Sequence, residues 1–311
     1  MKKSDLVAIA DSVRNKTGTT DGMRVSEIPQ KIEAIETGSN INLQEKALTI
    51  TSNGITTVTP DTSYDALSKV DVTVNVVGDG GSPTGPYIEY TSLDSFGRVF
   101  TAKFRGTIVP EHAFSYLAEL TSVDMPDNVI AIGDNGFYRC PKLQLASLPP
   151  GITSLGDFAF SDCSKLALTS LPSGITSIGD QAFRDCFSLA LTGLPSGLTS
   201  LPTAAFQYCP KLALTTFPSG MTSIGSYAFR QGTGLASITL PPALTTIGDF
   251  AFANCTGLET VKFTRTVSSI PNGVFSGCPK LSTIYVPWSQ GQVANAPWGA
   301  SNATIIYDYT D

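Results

Sequence analysis

Between residues 105 and 287 the apolar positions keep one period. Phe114, Phe137, Phe160, Phe183, Phe206, Phe229, Phe252 and Phe275 lie 23 residues apart, with no insertion or deletion. Six residues after each Phe stands a leucine: Leu120, Leu143, Leu166, Leu189, Leu212, Leu235, Leu258 or Leu281. Eleven residues after it the position is again apolar (Met125, Leu148, Leu171, Leu194, Phe217, Leu240, Phe263, Val286), and proline follows in seven of the eight coils. A fixed period of this size marks a solenoid, in which a coil buries its apolar side chains only by stacking on its neighbours. Proline cannot donate to a ladder, so each coil reads as a short strand stopped by proline.

Three residues before Phe stand Asp134, Asp157, Asp180, Thr203, Ser226, Asp249 and Asn272. Their side-chain oxygens suit the free amides that open a helical turn, which predicts a capped turn in each coil. The fold class expected is a β-rich solenoid of 23-residue coils, with a parallel sheet and short helical turns. One departure stands out. The coils at Leu143, Leu166, Leu189 and Leu212 read Leu-x-Leu-x-x-Leu-Pro, whereas the flanking coils read Leu-x-x-apolar-x-apolar. A one-residue slip exchanges the faces of a strand, so the central strands are expected to carry a bulge or a shifted register.

Outside the repeat the pattern changes. Leu6, Ile9, Ala10 and Val13 share one helical face, and Ile28, Ile32 and Ile35 repeat it after a turn at Lys16-Thr17-Gly18, which predicts a helical hairpin over 1–38. So small a piece buries little core alone and is expected to serve attachment. Residues 39–77 read as a small β-module with strands at 47–51, 55–59 and 70–76. Residues 78–86, rich in Gly and Pro, read as a linker. The solenoid with an N-terminal cap is assigned to 87–287, and a C-terminal cap to 288–311.

Composition narrows the classes. The chain of 311 residues, 41% of them apolar, can bury a sizeable core, and its formal charge of -6 leaves no basic stripe for nucleic acid. No run is long enough to span a bilayer. The six cysteines all stand three residues after a repeat Phe (Cys140, Cys163, Cys186, Cys209, Cys255, Cys278), and no two lie at metal-ligand spacing. Stacked coils about 4.8 Å apart leave disulfides geometrically open. Buried free thiols in a small apolar slot are the preferred reading.

Candidate chemistry is sparse. The single histidine, His112, has no Ser or Cys nucleophile at a recognisable spacing. The ladder Asp134, Asp157, Asp180 and Asp249 has the residue type of a calcium site or a glycosidase pair, yet capping accounts for every member. Gly78-Asp79-Gly80-Gly81 lacks the Lys and helix of a phosphate loop. No catalytic, metal or cofactor site is expected. For binding, the outward strand position offers Asp124, Ser147, Ser170, Gly193, Thr216, Thr239, Lys262 and Tyr285, a flat floor that a generic solvated strand explains equally well. Aromatics stand two residues before the repeat Phe (Phe158, Tyr227, Phe250) and in the coil turns (Tyr116, Tyr138, Phe187, Tyr208). They suit sugars or a protein partner, and packing between coils is the competing explanation.

The motif Ile-Gly-Asp-x-Ala-Phe-x-x-Cys-x-x-Leu, with Leu-Pro further on, resembles the BspA-like class of leucine-rich repeats over roughly residues 105–287. That resemblance implies a curved right-handed solenoid used for recognition, in proteins that are adhesins or binding proteins and not enzymes. The wording at 10–18, 43–46, 58–61 and 64–70 resembles tail-associated proteins of phages of Gram-positive bacteria. Tyr285-Val286-Pro287-Trp288 and Ala296-Pro297-Trp298-Gly299, before Ile305-Ile306-Tyr307, resemble the segment that closes repeat domains in those proteins.

These resemblances imply a tail fibre or receptor-binding protein of a virion, made in the host cytoplasm without a signal peptide. Residues 1–77 would dock on other tail or baseplate proteins, and the solenoid would contact a host-surface glycan or protein. A homo-oligomer is expected, with a trimer as the form suggested by analogy, and neither nucleic acid nor membrane insertion is involved. Two alternatives stand beside it: a purely structural virion spacer or decoration protein, and a bacterial surface adhesin.

Overall fold

The structure, a computed structural model, describes residues 58–59, 71–72, 87–93 and 98–310. The helical hairpin and the linker expected from the sequence lie outside these residues. So does the β-module, apart from one antiparallel pair, β1 (Val58–Thr59) with β2 (Asp71–Val72). The chain divides into two compact units, Met1–Gly106 with Glu119–Pro126, and Thr107–Ala118 with Asp127–Asp311.

In the first unit β3 (Tyr87–Leu93) pairs antiparallel with β4 (Val99–Arg105), which pairs parallel with β6 (Ser122–Asp124). Both the amide and the hydroxyl of Thr121 donate to the Phe100 carbonyl, at 2.7 and 2.8 Å. Ile88, Val99, Ala102, Phe104, Leu120 and Val123 are buried.

The second unit is the solenoid. One ladder of two-residue strands runs through β5 (Ile108–Val109), β7 (Ala131–Ile132), β8 (Ser154–Leu155) and β9 (Ser177–Ile178). The same register recurs through β10 (Ser200–Leu201), β11 (Ser223–Ile224) and β13 (Thr246–Ile247), all parallel and 23 residues apart. A second ladder holds β12 (Ser237–Leu240), β14 (Thr260–Phe263), β15 (Thr283–Tyr285) and β16 (Thr304–Ile306). The repeat Phe side chains are fully buried and stack ring on ring in seven successive pairs, with centroids 4.9 to 5.9 Å apart. The eight repeat leucines are fully buried as well.

The central coils carry neither the bulge nor the shifted register expected of their strands, because the strand itself is absent. In the flanking coils of this unit the inward residues are two apart, as in Ile238 and Leu240 or Val261 and Phe263, all buried. In the central coils the buried residues are Leu145, Leu168, Leu191 and Leu214, three before the next apolar position. A strand alternates with period two, so residues three apart cannot both face inward from it; Leu148 and Phe217 are buried at that spacing, and Leu171 and Leu194 half-buried. No strand forms at 145–147, 168–170 or 191–193, and at 214–216 only a single bridge, Thr216 to Thr239, remains.

The turns around each Phe are not helical, which corrects the expected capped helical turn. Residues two before and two after Phe take left-handed backbone, for example Gln181 and Asp185 at φ of 56° and 59° around Phe183, and Tyr227 and Gln231 at 60° around Phe229. With left-handed residues four apart on either side of the Phe, every second amide of the turn faces the next coil. The amides of Gln181, Phe183 and Asp185 accordingly donate to the carbonyls of Thr203, Ala205 and Gln207 in the next coil, each at 2.9 Å. Left-handed backbone costs a non-glycine residue about 1–2 kcal/mol, and these three bonds per coil hold it in place.

Two polar ladders complete the stack. Asp134, Asp157 and Asp180 do not cap their own turns. The Oδ1 of each accepts the amide of the equivalent residue one coil on, at 2.8, 2.7 and 2.9 Å. The six cysteines are buried and free. Each Sγ–H donates to the repeat-Phe carbonyl of the preceding coil, at 2.9 to 3.2 Å. In six of the eight coils the slot thus holds a small side chain with a donor, while Leu117 and Gly232 fill it in the other two.

Close approach of the coils explains the glycine four before Phe. A Cβ on Gly156 would lie 2.6 Å from the Asp134 amide nitrogen, where only backbone movement can make room. Gly156→Ala is expected to lower stability by about 1–3 kcal/mol. Gly174→Ala, whose Cβ would meet nothing nearer than 3.5 Å, is expected to leave the melting temperature nearly unchanged.

Candidate recognition surface

The turn ladder presents the exposed aromatic side chains. Left-handed backbone at the turn corners points side chains away from the Phe stack, and aromatic residues occupy several of these corners. Tyr116 is 60% exposed and meets Tyr138 edge-on at 5.3 Å, while Tyr138 meets Phe158 at 6.1 Å. The Arg139 guanidinium lies 5.6 Å over Tyr116 and 5.1 Å over Tyr138, and its Nε is 3.5 Å from the Asp162 carboxylate.

Further along, Tyr227 and Phe250 stack at 5.6 Å, nearly parallel. Arg230 sits 5.9 Å over Tyr208 and 5.8 Å over Tyr227. These residues border a shallow cavity of about 250 Å³ lined by Tyr227, Arg230, Phe250, Ala253, Asn254 and Ser276. Phe187 is 48% exposed. Tyr116, Tyr138, Phe158, Tyr227 and Phe250 therefore pack coil on coil, and Tyr116, Phe187 and Phe250 leave ring surface open to solvent.

The outward strand positions form no single floor. Asp124 belongs to the first unit and pairs there with Arg105 at 3.0 Å. Ser147, Ser170 and Thr216 are exposed on the central coils that lack the strand. Thr239, Lys262 and Tyr285 are half-buried on β12, β14 and β15. The structure joins the last two through Tyr309, whose ring lies 4.7 Å from that of Tyr285 and 4.9 Å from the Lys262 ammonium.

Three partners escaped the sequence reading: Arg139, Arg230 and Tyr309. The arginines stand one or two residues after a repeat Phe, beside the aromatics, and that position was the available signal. His112 takes left-handed backbone and lies 3.2 Å from Glu111, an arrangement that supplies no nucleophile. Among the described residues no group of three or more His, Cys, Asp or Glu could hold a metal ion. Burial pushes the thiols of Cys163, Cys186 and Cys209 well above their usual range, so they stay protonated.

The end of the solenoid is closed by tryptophan. Trp288 and Trp298 are buried, 5.1 and 6.1 Å from Phe263, and the Phe275 amide donates to the Trp298 carbonyl at 3.1 Å.

The family model for the BspA type leucine rich repeat region matches this chain in six copies, over residues 99–213 and 199–296. Similar solved structures include a leucine-rich repeat protein from Bacteroides ovatus, 20% identical over 83% of this chain and 77% of that one, with a TM-score of 0.49. The T. pallidum leucine rich repeat protein is 23% identical over 66% and 81%, with a TM-score of 0.40. A leucine rich cell surface protein from Faecalibacterium prausnitzii is 21% identical over 74% and 95%, with a TM-score of 0.35. No curated protein matches the chain.

Proposed function

The chain belongs to the BspA type leucine rich repeat family, and from that membership we propose a non-enzymatic recognition protein of the bacterial cell-surface, adhesin-like kind, which binds through its turn ladder. The observation that carries this reading is the pair of exposed rings at Tyr116 and Phe250, on turns tied to their neighbours by backbone bonds, with Phe187 exposed on the same unit. Rigid aromatic anchors lose little entropy on binding, and binding energy concentrates at such residues. Recognition of this kind requires no nucleophile or metal.

A second reading, recognition within a phage tail, draws on the wording of residues 10–70 and on the tryptophan-bearing segment at 285–307. Only the latter part is described at length by the structure, and none of the three relatives named above is a phage protein. In this reading residues 1–77 dock on tail proteins, the solenoid meets the host surface, and the chain is a homo-oligomer in the virion.

Two experiments test these readings. The purified full chain is applied to intact cells before and after enzymatic removal of surface glycans and proteins. Saturable binding that one treatment abolishes is expected, and absence of saturable binding on every surface tried would count against recognition. Fractionation then separates the two settings: recovery with the cell wall of a phage-free culture supports the adhesin reading, and recovery only in tailed particles supports the second.

A further inference from the structure

Three arginines stand on the turn ladder one or two residues after a repeat Phe, and they differ in their partners. The Arg139 guanidinium faces the Asp162 carboxylate at 3.5 Å, and Arg184 faces Asp185 at 3.1 Å and the Gln181 side chain at 2.9 Å. Arg230 is in none of the ion pairs of the described residues. The reason lies in the row two residues after Phe, which supplies acid at Asp162 and Asp185 but reads Tyr208, Gln231 and Asn254 around Arg230. Asp249, the acid next to Phe250 in sequence, is exposed and forms no pair with it. The same aromatic bed is thus built twice, once with its cation neutralised and once with its cation left open.

The open cation borders the shallow cavity. Phe250, 40% exposed, gives a flat apolar wall, Tyr227 stacks behind it, and Asn254 and Ser276 contribute polar side chains. A half-buried guanidinium beside an aromatic wall and short polar side chains suits a small ring that carries a carboxylate and hydroxyls. The formal charge of -6 repels a polyanion at long range, so the attraction is local and favours one carboxylate over a chain of phosphates.

We propose that the cavity between Tyr227, Arg230, Phe250 and Asn254 is a subsite for an acidic sugar, a uronic-acid-type unit of a surface glycan. Its carboxylate pairs with Arg230 and its apolar face lies on Phe250. The proposal rests on the recognition reading and narrows it to one ligand class and one place on the ladder.

The test exploits the neighbouring coils. Gln231→Asp restores the acid that Asp185 supplies beside Arg184, at a left-handed position that Asp tolerates well. The full chain and this variant are titrated by saturation-transfer NMR with glucuronate, with glucose, and with tetraglutamate as the peptide comparator. Glucuronate is expected to bind the unaltered chain about tenfold more tightly than glucose or the peptide, and to lose about tenfold in affinity in Gln231→Asp, at an unchanged melting temperature. Arg230→Gln is expected to give the same loss.

Glucuronate binding no stronger than glucose, or unaffected by either variant, overturns the subsite, as does tetraglutamate binding as well as glucuronate. The wider reading is judged separately, on cell binding by the unaltered chain. Cells bound without any response to glucuronate would leave recognition standing and remove the acidic-sugar subsite.

Discussion

Replacing Phe183 with alanine is expected to destabilise the solenoid by about 3–5 kcal/mol, the cost of deleting a fully buried aromatic side chain. The ring is 0% exposed and stacks on Phe160 at 5.5 Å and on Phe206 at 5.4 Å. Both stacks are lost together with the burial, and each is worth about 0.5–1.5 kcal/mol beyond its area. Coils couple chiefly to their neighbours, so a break in the middle also uncouples the two halves. Urea unfolding is expected to show a lower midpoint and a broadened or split transition. Phe275→Ala, with one ring neighbour in the stack at 5.9 Å, is expected to cost less and to keep one transition. Equal effects at both positions would contradict a stack whose strength depends on neighbours on each side.

Stability is also expected to fall steeply above about pH 8.5, the ordinary thiol pKa. Burial raises the thiols of Cys163, Cys186 and Cys209, so the folded chain keeps protons that the unfolded chain releases. Where the unfolded state binds fewer protons, unfolding gains with rising pH. The contribution of these thiols is complete below about pH 8.5 and declines above it by about 1.4 kcal/mol per thiol per pH unit. The check is the urea midpoint from pH 7 to 10 under reducing conditions, beside a variant with serine at all three positions. Serine keeps a donor for the Phe carbonyls and does not titrate, so its profile is expected to be much flatter. Parallel profiles would show that the cysteine ladder does not control alkaline stability.

Much of this architecture is readable in the sequence because the repeat Phe and Leu positions are filled without exception and the Cys position in six of eight coils. Their periodicity alone places them in the core. The turns were harder. Left-handed backbone is normally announced by Gly or Asn, but here it falls on Phe158, Gln181, Ala204, Tyr227 and Phe250, because bonds to the next coil impose it. The aspartates misled for a related reason: the amide each accepts belongs to the following coil, and a local capping rule cannot reach across 23 residues. The departure of the central coils is visible as Leu-x-Leu-x-x-Leu, yet its outcome shows only in the structure, where Leu145, Leu168, Leu191 and Leu214 are buried while Leu171 and Leu194 are half-buried and the strand is absent.

The candidate surface was readable by residue type and less so by position. Tyr116, Tyr138, Phe187 and Tyr208 were identifiable as turn aromatics, and they do stand on the ladder. The outward row from Asp124 to Tyr285 presumed continuous strands that the central coils do not form. That Arg230 lacks the acid its neighbours enjoy depends on side chains of adjacent coils, and becomes visible only when the coils are stacked.

The most direct test of the central claim, recognition through the turn ladder, compares the full chain with a variant carrying serine at Tyr116, Phe187 and Phe250. All three side chains are at least 40% exposed, so the fold should tolerate the change. Cell binding measured beside the melting temperature is expected to fall by about tenfold or more while melting stays within a few degrees. Undiminished binding by a variant that melts normally would contradict the account and move recognition to another face of the coils.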